Sequence, residues 1–206
     1  MIDINLVLLP LFGFLIGILV SMFGGGGGGL YVPVLILIFG VTPQVAVATS
    51  LASVLPTSVV SSISHFKEGN VDIHTGLILG IGGIVGTLIG AMIANLIPPV
   101  LLQKILGIFT LIMLVPMFRS LLQRQQKMKE QNGEKQEKST LTGPKRAIAS
   151  LFGVASGLLA GVFGISGTPP IIAGLYSLDL PALMVVGTSV FVLIFNSLAG
   201  IGVFIY

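Results

Sequence analysis

From Ile4 through Phe66 the chain carries no Asp, Glu, Lys or Arg, and a second such void runs from Ile73 through Gln103. Two more cover Ala147 through Leu178 and Leu180 through Tyr206. A helix crosses the hydrocarbon core in about 20 apolar residues, and one Lys or Asp at its centre costs roughly 2.5–3.5 kcal/mol on insertion scales. Voids of this length are what a bilayer demands, and a soluble core has no reason to produce them. Only 8% of the residues are charged, against roughly 25% in an ordinary soluble domain. The expectation is an all-α, multi-pass membrane protein whose main partner is the lipid bilayer of the cell membrane.

Ile4–Phe23 reads as a first apolar helix, broken by the run Gly24–Gly29, because consecutive glycines carry a high entropic cost in a helix. Met1–Asn5 holds Asp3 and no basic cluster, so it does not resemble a signal peptide, and the N-terminus is expected to be retained. Leu30–Phe39 is apolar but ten residues long, about 15 Å as helix and half a membrane. Pro43 is placed as a helix-starting proline for a full-length segment running to about Ser64. Past the polar loop His65–Asp72, spans are expected at Ile73–Leu96 and Val100–Phe118, joined by a turn at Pro98–Pro99.

Residues 119–146 form a hydrophilic linker with eight of the ten basic residues: Arg119, Arg124, Lys127, Lys129, Lys135, Lys138, Lys145 and Arg146. The positive-inside rule puts this linker in the cytoplasm, with His65–Asp72 and its topogenic Lys67 on the same side and Pro98–Pro99 outside. Counting back leaves the side of the N-terminus open. The basic balance lies almost wholly in this loop and does not point to nucleic acid. Cysteine is absent, which excludes disulfides and thiolate chemistry. His65 and His74 have no metal-ligand company, so neither a metal nor a cofactor is expected.

After the linker the chain repeats itself. Gly13 and Gly17 through Phe23-Gly24 match Gly153 and Gly157 through Phe163-Gly164, Pro43 matches Pro181, and Ala48-Thr49-Ser50 matches Gly187-Thr188-Ser189. Two related halves, 1–118 and 147–206, follow from these matches, inverted if the first crosses the membrane five times. Nothing in the second half corresponds to Ile73–Phe118, so that half is expected to be incomplete and its site loose or completed by another subunit. A homodimer is one way to complete it.

The two glycine breaks are the most informative motifs. A Walker loop would need Gly-Lys-Ser/Thr, and no lysine lies near. Backbone groups freed inside a membrane are tolerated only when buried in protein or lining a wet cavity. One reading is therefore a discontinuous helix whose N–H groups face an anion; the other is close packing of smooth glycine surfaces. Gly25, Gly26, Gly27 and Gly28, with Gly164, Ser166, Gly167 and Thr168, are the candidate substrate-binding residues. Thr49, Ser50, Thr188 and Ser189 would add hydroxyl donors, or else bond back to their own helices. Asn196 is a candidate for interhelical bonding or substrate contact. Gly76/Gly80 and Gly82/Gly86/Gly90 read as packing surfaces. No carboxylate lies well inside any span, which disfavours a carboxylate proton relay and cationic substrates.

Gly17 through Val32-Pro33, Ala48-Thr49-Ser50 and Gly69-Asn70-Val71-Asp72, followed by the second break and Gly187-Thr188-Ser189, resemble the sulfite exporter TauE/SafE family. The resemblance covers nearly the whole chain outside the linker. It implies a transporter of four-helix repeats that exports sulfite, organosulfonates or related small sulfur-containing anions. No reaction chemistry is expected, since the sequence offers no nucleophile–base or metal constellation. The rivals are a passive anion channel, distinguished by uncoupled flux, and a non-transporting membrane assembly or scaffold protein, distinguished by failure to bind any anion. Cysteines at Gln125 or Lys135 should resist an impermeant thiol reagent in intact cells and react after lysis. Labelling from outside would invert the whole topology.

Overall fold

A computed structural model describes residues 13–14, 28–112, 143–164 and 167–204. The helices of these residues are α1 (Gly28–Leu37), α2 (Pro43–Lys67), α3 (Ile73–Leu96), α4 (Pro99–Ile112), α5 (Gly143–Phe163), α6 (Thr168–Ser177) and α7 (Ala182–Phe204), with no strand among them. Helices α2, α3 and α7 are each long and apolar enough to cross a membrane. The span expected at Ile73–Leu96 is α3 to the residue. The half-length segment is helical from Gly28, two residues before the expected Leu30, so the last two glycines of the run belong to α1. Helix α5 starts at Gly143, inside the stretch assigned to the linker. Pro144 falls in its first turn, where its missing N–H would have had no helical partner anyway.

Local chemistry fixes the helix ends. Asp72 caps α3, its Oδ1 accepting from the N–H groups of His74 (3.1 Å) and Thr75 (3.2 Å) and its Oδ2 from the Thr75 hydroxyl at 2.6 Å. That occupies donors that a helix start otherwise leaves orphaned. At the other end of α3, the Ile97 carbonyl accepts from Gln44 Nε2 at 3.1 Å, which ties the start of α2 to the Pro98 turn.

Helix α3 is central because glycine lines two of its faces. On one face, a Cβ added at Gly82 would meet the Ser150 carbonyl at 2.6 Å, and one at Gly86 or Gly90 would fall on the carbonyl of Val154 or Leu158. The relation is reciprocal: Gly153, Gly157 and Gly161 of α5 lie against the carbonyls of Leu79, Gly83 and Thr87. The pairing advances in the same direction on both helices, so α3 and α5 run parallel with backbones in contact. On the other face, Gly76 and Gly80 take the rings of Phe191 and Phe195, which meet edge to face at 5.2 Å. Helix α7 therefore also runs parallel to α3. It runs antiparallel to α2, since Gly187 lies beside His65 and Gly200 beside Leu51.

The apolar interior divides into two clusters. One gathers Leu79, Ile171, Leu175, Val185 and Leu193 around α6 and the start of α7. The other gathers Val32, Val47, Leu51, Leu102 and Leu106 around α1, the start of α2 and α4. The short helices α1 and α6 thus serve opposite ends of the bundle. Helix α6 descends α5 from Ser156 toward Phe152, where Gly174 lies against the Phe152 side chain.

Gly86→Ala places a methyl group on a backbone carbonyl that no rotamer change can move. Overpacking of this kind costs about 1–3 kcal/mol, so Gly86→Ala should lower the unfolding temperature in detergent. Gly202→Ala, with nothing within 4 Å of its added Cβ, should leave that temperature unchanged.

Candidate functional site

The second break begins where α5 ends. The Gly164 N–H makes the last helical bond, to Ala160 at 2.9 Å, and Gly164 then turns into the left-handed region at φ 63°. Gly167, at φ 60°, occupies the N-cap of α6 in the same region. An L side chain is strained in this conformation, and neither site has space for one. A Cβ at Gly164 would meet Val32 and Val47, each at 2.9 Å, and one at Gly167 would fall on Ser156. Just before the break, Phe163 stacks on Phe109 of α4 with ring centroids 4.1 Å apart.

A polar side chain from α2 holds the first end of the break, and the second end packs on α5. The buried Ser50 hydroxyl donates to the Gly164 carbonyl at 2.8 Å, across 114 residues of sequence. Ser156 lies beside Gly167, and its hydroxyl accepts from Asn196 Nδ2 at 3.1 Å. Ser50, Ser156 and Asn196 are each 0% exposed. The structure therefore brings together Ser50, Gly164, Gly167, Thr168 and Asn196 of the sequence-predicted set, with Thr168 buried as the first residue of α6. Gly25, Gly26, Gly27 and Ser166 lie outside the described residues, and Gly28 is the first residue of α1.

Three predicted hydroxyls are placed elsewhere. Thr49 faces outward and donates to its own helix at the Val45 carbonyl, 2.8 Å. Ser189 is buried and donates to Val186 at 2.8 Å. Thr188 is buried near the Lys67 end, where its Oγ1 accepts from the Asp72 N–H at 2.9 Å. Beside it Gly187 lies against the Asn70 carbonyl. The Gly69–Asp72 loop is thereby latched onto α7, at a distance in sequence no local pattern reveals.

Sequence reasoning passed over Ser156, Thr87 and Ser197. All three are buried, and the oxygens Thr87 Oγ1, Ser197 Oγ and Asn196 Oδ1 have no hydrogen-bond partner among the described residues. Asn196 Oδ1 sits against Gly83, one helical turn before Thr87 on α3. The signal available was a hydroxyl residue flanked by packing glycines: Thr87 follows Gly86 and Ser156 precedes Gly157.

The residues named around the break carry no formal charge, so any anion here would be held by dipoles alone. Each of the two unpartnered hydroxyls has a proton to donate. The start of α6 presents fewer backbone donors than an ordinary helix, because Pro169 and Pro170 follow Thr168 and have no N–H. Among the described residues no group of three His, Asp or Glu gathers as a metal site requires.

The family model described as Sulfite exporter TauE/SafE matches residues 9–206. The probable membrane transporter protein YdhB of Bacillus subtilis is 34% identical over 190 residues, covering 91% of this chain and 74% of the relative. A probable membrane transporter protein of Methanocaldococcus jannaschii is 34% identical over 205 residues, covering 95% of this chain and 72% of that one. The Arabidopsis thaliana sulfite exporter TauE/SafE family protein 1 is 35% identical over 91 residues, 44% of this chain and 20% of its own length. No solved structure matches.

Ser50→Ala would strip a buried carbonyl of its donor, which costs about 1–3 kcal/mol. Its neighbour Thr49 bonds only to its own helix, and Thr49→Val should stay within about 0.5 kcal/mol of the parent. Thermal unfolding in detergent separates them. Equal stabilities would mean that the Ser50–Gly164 bond does not hold the break.

Proposed function

The chain belongs to the sulfite exporter TauE/SafE family, and from that premise we propose that it is a secondary transporter of a small sulfur-containing oxyanion, sulfite or an organosulfonate. The observation that carries this reading is the helix break between Gly164 and Thr168, hydrogen-bonded by Ser50 at one end and packed at the other on Ser156, which Asn196 bonds in turn. Interrupted helices survive inside a membrane only when protein or a wet cavity satisfies the freed groups. Half-helix ends that meet at the middle of a bundle are a recurrent way to hold a substrate there.

The two halves are proposed as counterparts. Each contains a ten-residue helix followed by a helix of 25 or 23 residues, α1–α2 and α6–α7. The matched Ala48-Thr49-Ser50 and Gly187-Thr188-Ser189 sit near the starts of α2 and α7, which run antiparallel. That relation supports inverted halves rocking about a shared centre. The rigid side of such a motion is α3 against α5, where backbone contact leaves no slack.

Sulfite, thiosulfate, sulfoacetate and sulfate are the anions to screen, first by binding to purified protein and then by flux into proteoliposomes. The double variant Gly26→Leu/Gly27→Leu should insert normally and lose flux, because the added side chains would occupy the first break. Normal flux by this variant would remove the glycine run from the substrate path.

A further inference from the structure

Toward the Lys67 end of the bundle, α2 and α7 line a groove of about 320 Å³. Its walls are apolar: Val59, Ile63 and Phe66 from α2, Phe191 and Ile194 from α7. Two polar groups interrupt them. Ser62 is 6% exposed and borders the groove, and its hydroxyl has no hydrogen-bond partner among the described residues, as holds also for the less buried Ser61 and Ser64 of the same helix. Lys67 lies at the end of the groove, exposed and without an ion pair among the described residues. The carboxylate next to it, Glu68, is engaged by Asn70 Nδ2 at 3.0 Å.

Lys67 follows Ser62 by five positions, about 7.5 Å along a helix. That is the kind of spacing found between the ester carbonyl and the phosphate of a glycerophospholipid. We propose that this groove holds one anionic glycerophospholipid, with its phosphate on Lys67, an ester carbonyl on the Ser62 hydroxyl and its acyl chain along Val59, Ile63, Phe191 and Ile194. The complementarity is threefold. A free cation stands at the membrane edge, an unpaired donor lies one lipid backbone deeper, and apolar walls continue from there. An acyl chain wets these walls without needing a polar partner, and long cationic side chains reach toward headgroups from such positions. A lipid seated here bridges α2 and α7 at the end where the Gly69–Asp72 loop is latched. The proposal concerns lipid retention and does not depend on what the protein transports.

The test is native mass spectrometry of the full chain released from nanodiscs of equal phosphatidylglycerol and phosphatidylcholine. The expected result is one retained lipid per chain, enriched in phosphatidylglycerol. A basic side chain at a membrane surface contributes on the order of 1 kcal/mol toward anionic lipid, so Lys67→Gln should reduce that enrichment about fivefold. Lys104→Gln, an exposed lysine on α4, should leave it unchanged. Ile194→Trp fills the groove and should abolish retention of either lipid, and it decides the matter alone should Lys67→Gln fail to accumulate. Equal retention of the two lipids, an unaltered preference in Lys67→Gln, or unaltered retention in Ile194→Trp would overturn the proposal. So would a lipid-free dimer that Ile194→Trp dissociates, since the groove would then belong to a second copy of the chain.

Discussion

Inside a bilayer no water drives helices together, because lipid tails are as apolar as leucine. What joins α3 to α5 must therefore come from contact itself, and the contact is backbone on backbone. Six glycines, Gly82, Gly86 and Gly90 on α3 and Gly153, Gly157 and Gly161 on α5, each press toward a carbonyl of the other helix. Individual dispersion contacts are small, and many accumulate only where two surfaces approach without intervening side chains. The second glycine face of α3 then fixes α7 through Phe191 and Phe195. The positions of Ser156 and Asn196 follow from these two interfaces, since both project into the angle between them.

That arrangement accounts for the tolerance of a broken helix packed inside the bundle. Beyond the end of α5 at Phe163 stand the left-handed Gly164 and Gly167, and α6 then packs back along α5. The carbonyl exposed at Gly164 finds Ser50, and Gly167 nests on Ser156. Both contacts depend on α2 and α5 holding their register. A break of this kind is affordable only beside a rigid partner, and the glycine interface supplies one.

The long elements were legible because charge is so costly in lipid that its absence marks each span, and α3 ends at the residues the voids and Pro98 indicated. The packing role of Gly82, Gly86 and Gly90 was legible for a related reason: glycine repeated every fourth residue leaves one helix face flat. Hydroxyl roles were legible only as alternatives, of which bonding back to the own helix holds for Thr49 and Ser189. Thr188 and Thr49 occupy matched places in sequence, yet Thr188 accepts from the Asp72 N–H while Thr49 faces outward. The difference arises from which helix covers each face, a long-range fact. Ser156 escaped notice because a serine between glycines reads as another small packing residue until Asn196, 40 residues away, is seen to donate to it.

The two half-helices are also unequal as anion binders. An anion entering an uncharged site loses its hydration and must be repaid in hydrogen bonds from donors already in place. Helix α6 opens with Thr168-Pro169-Pro170, so two of the first three helical residues have no N–H to offer. Helix α1 opens with Gly28-Gly29-Leu30 and keeps every donor, with no bulky side chain over the first two. The prolines lower the number of orphaned groups at the buried start of α6, which suits a strut braced on Ser156. The glycines leave the start of α1 with all its backbone donors, which suits a binding end. By donor count alone, α1 is the better suited of the two half-helices to face an anion.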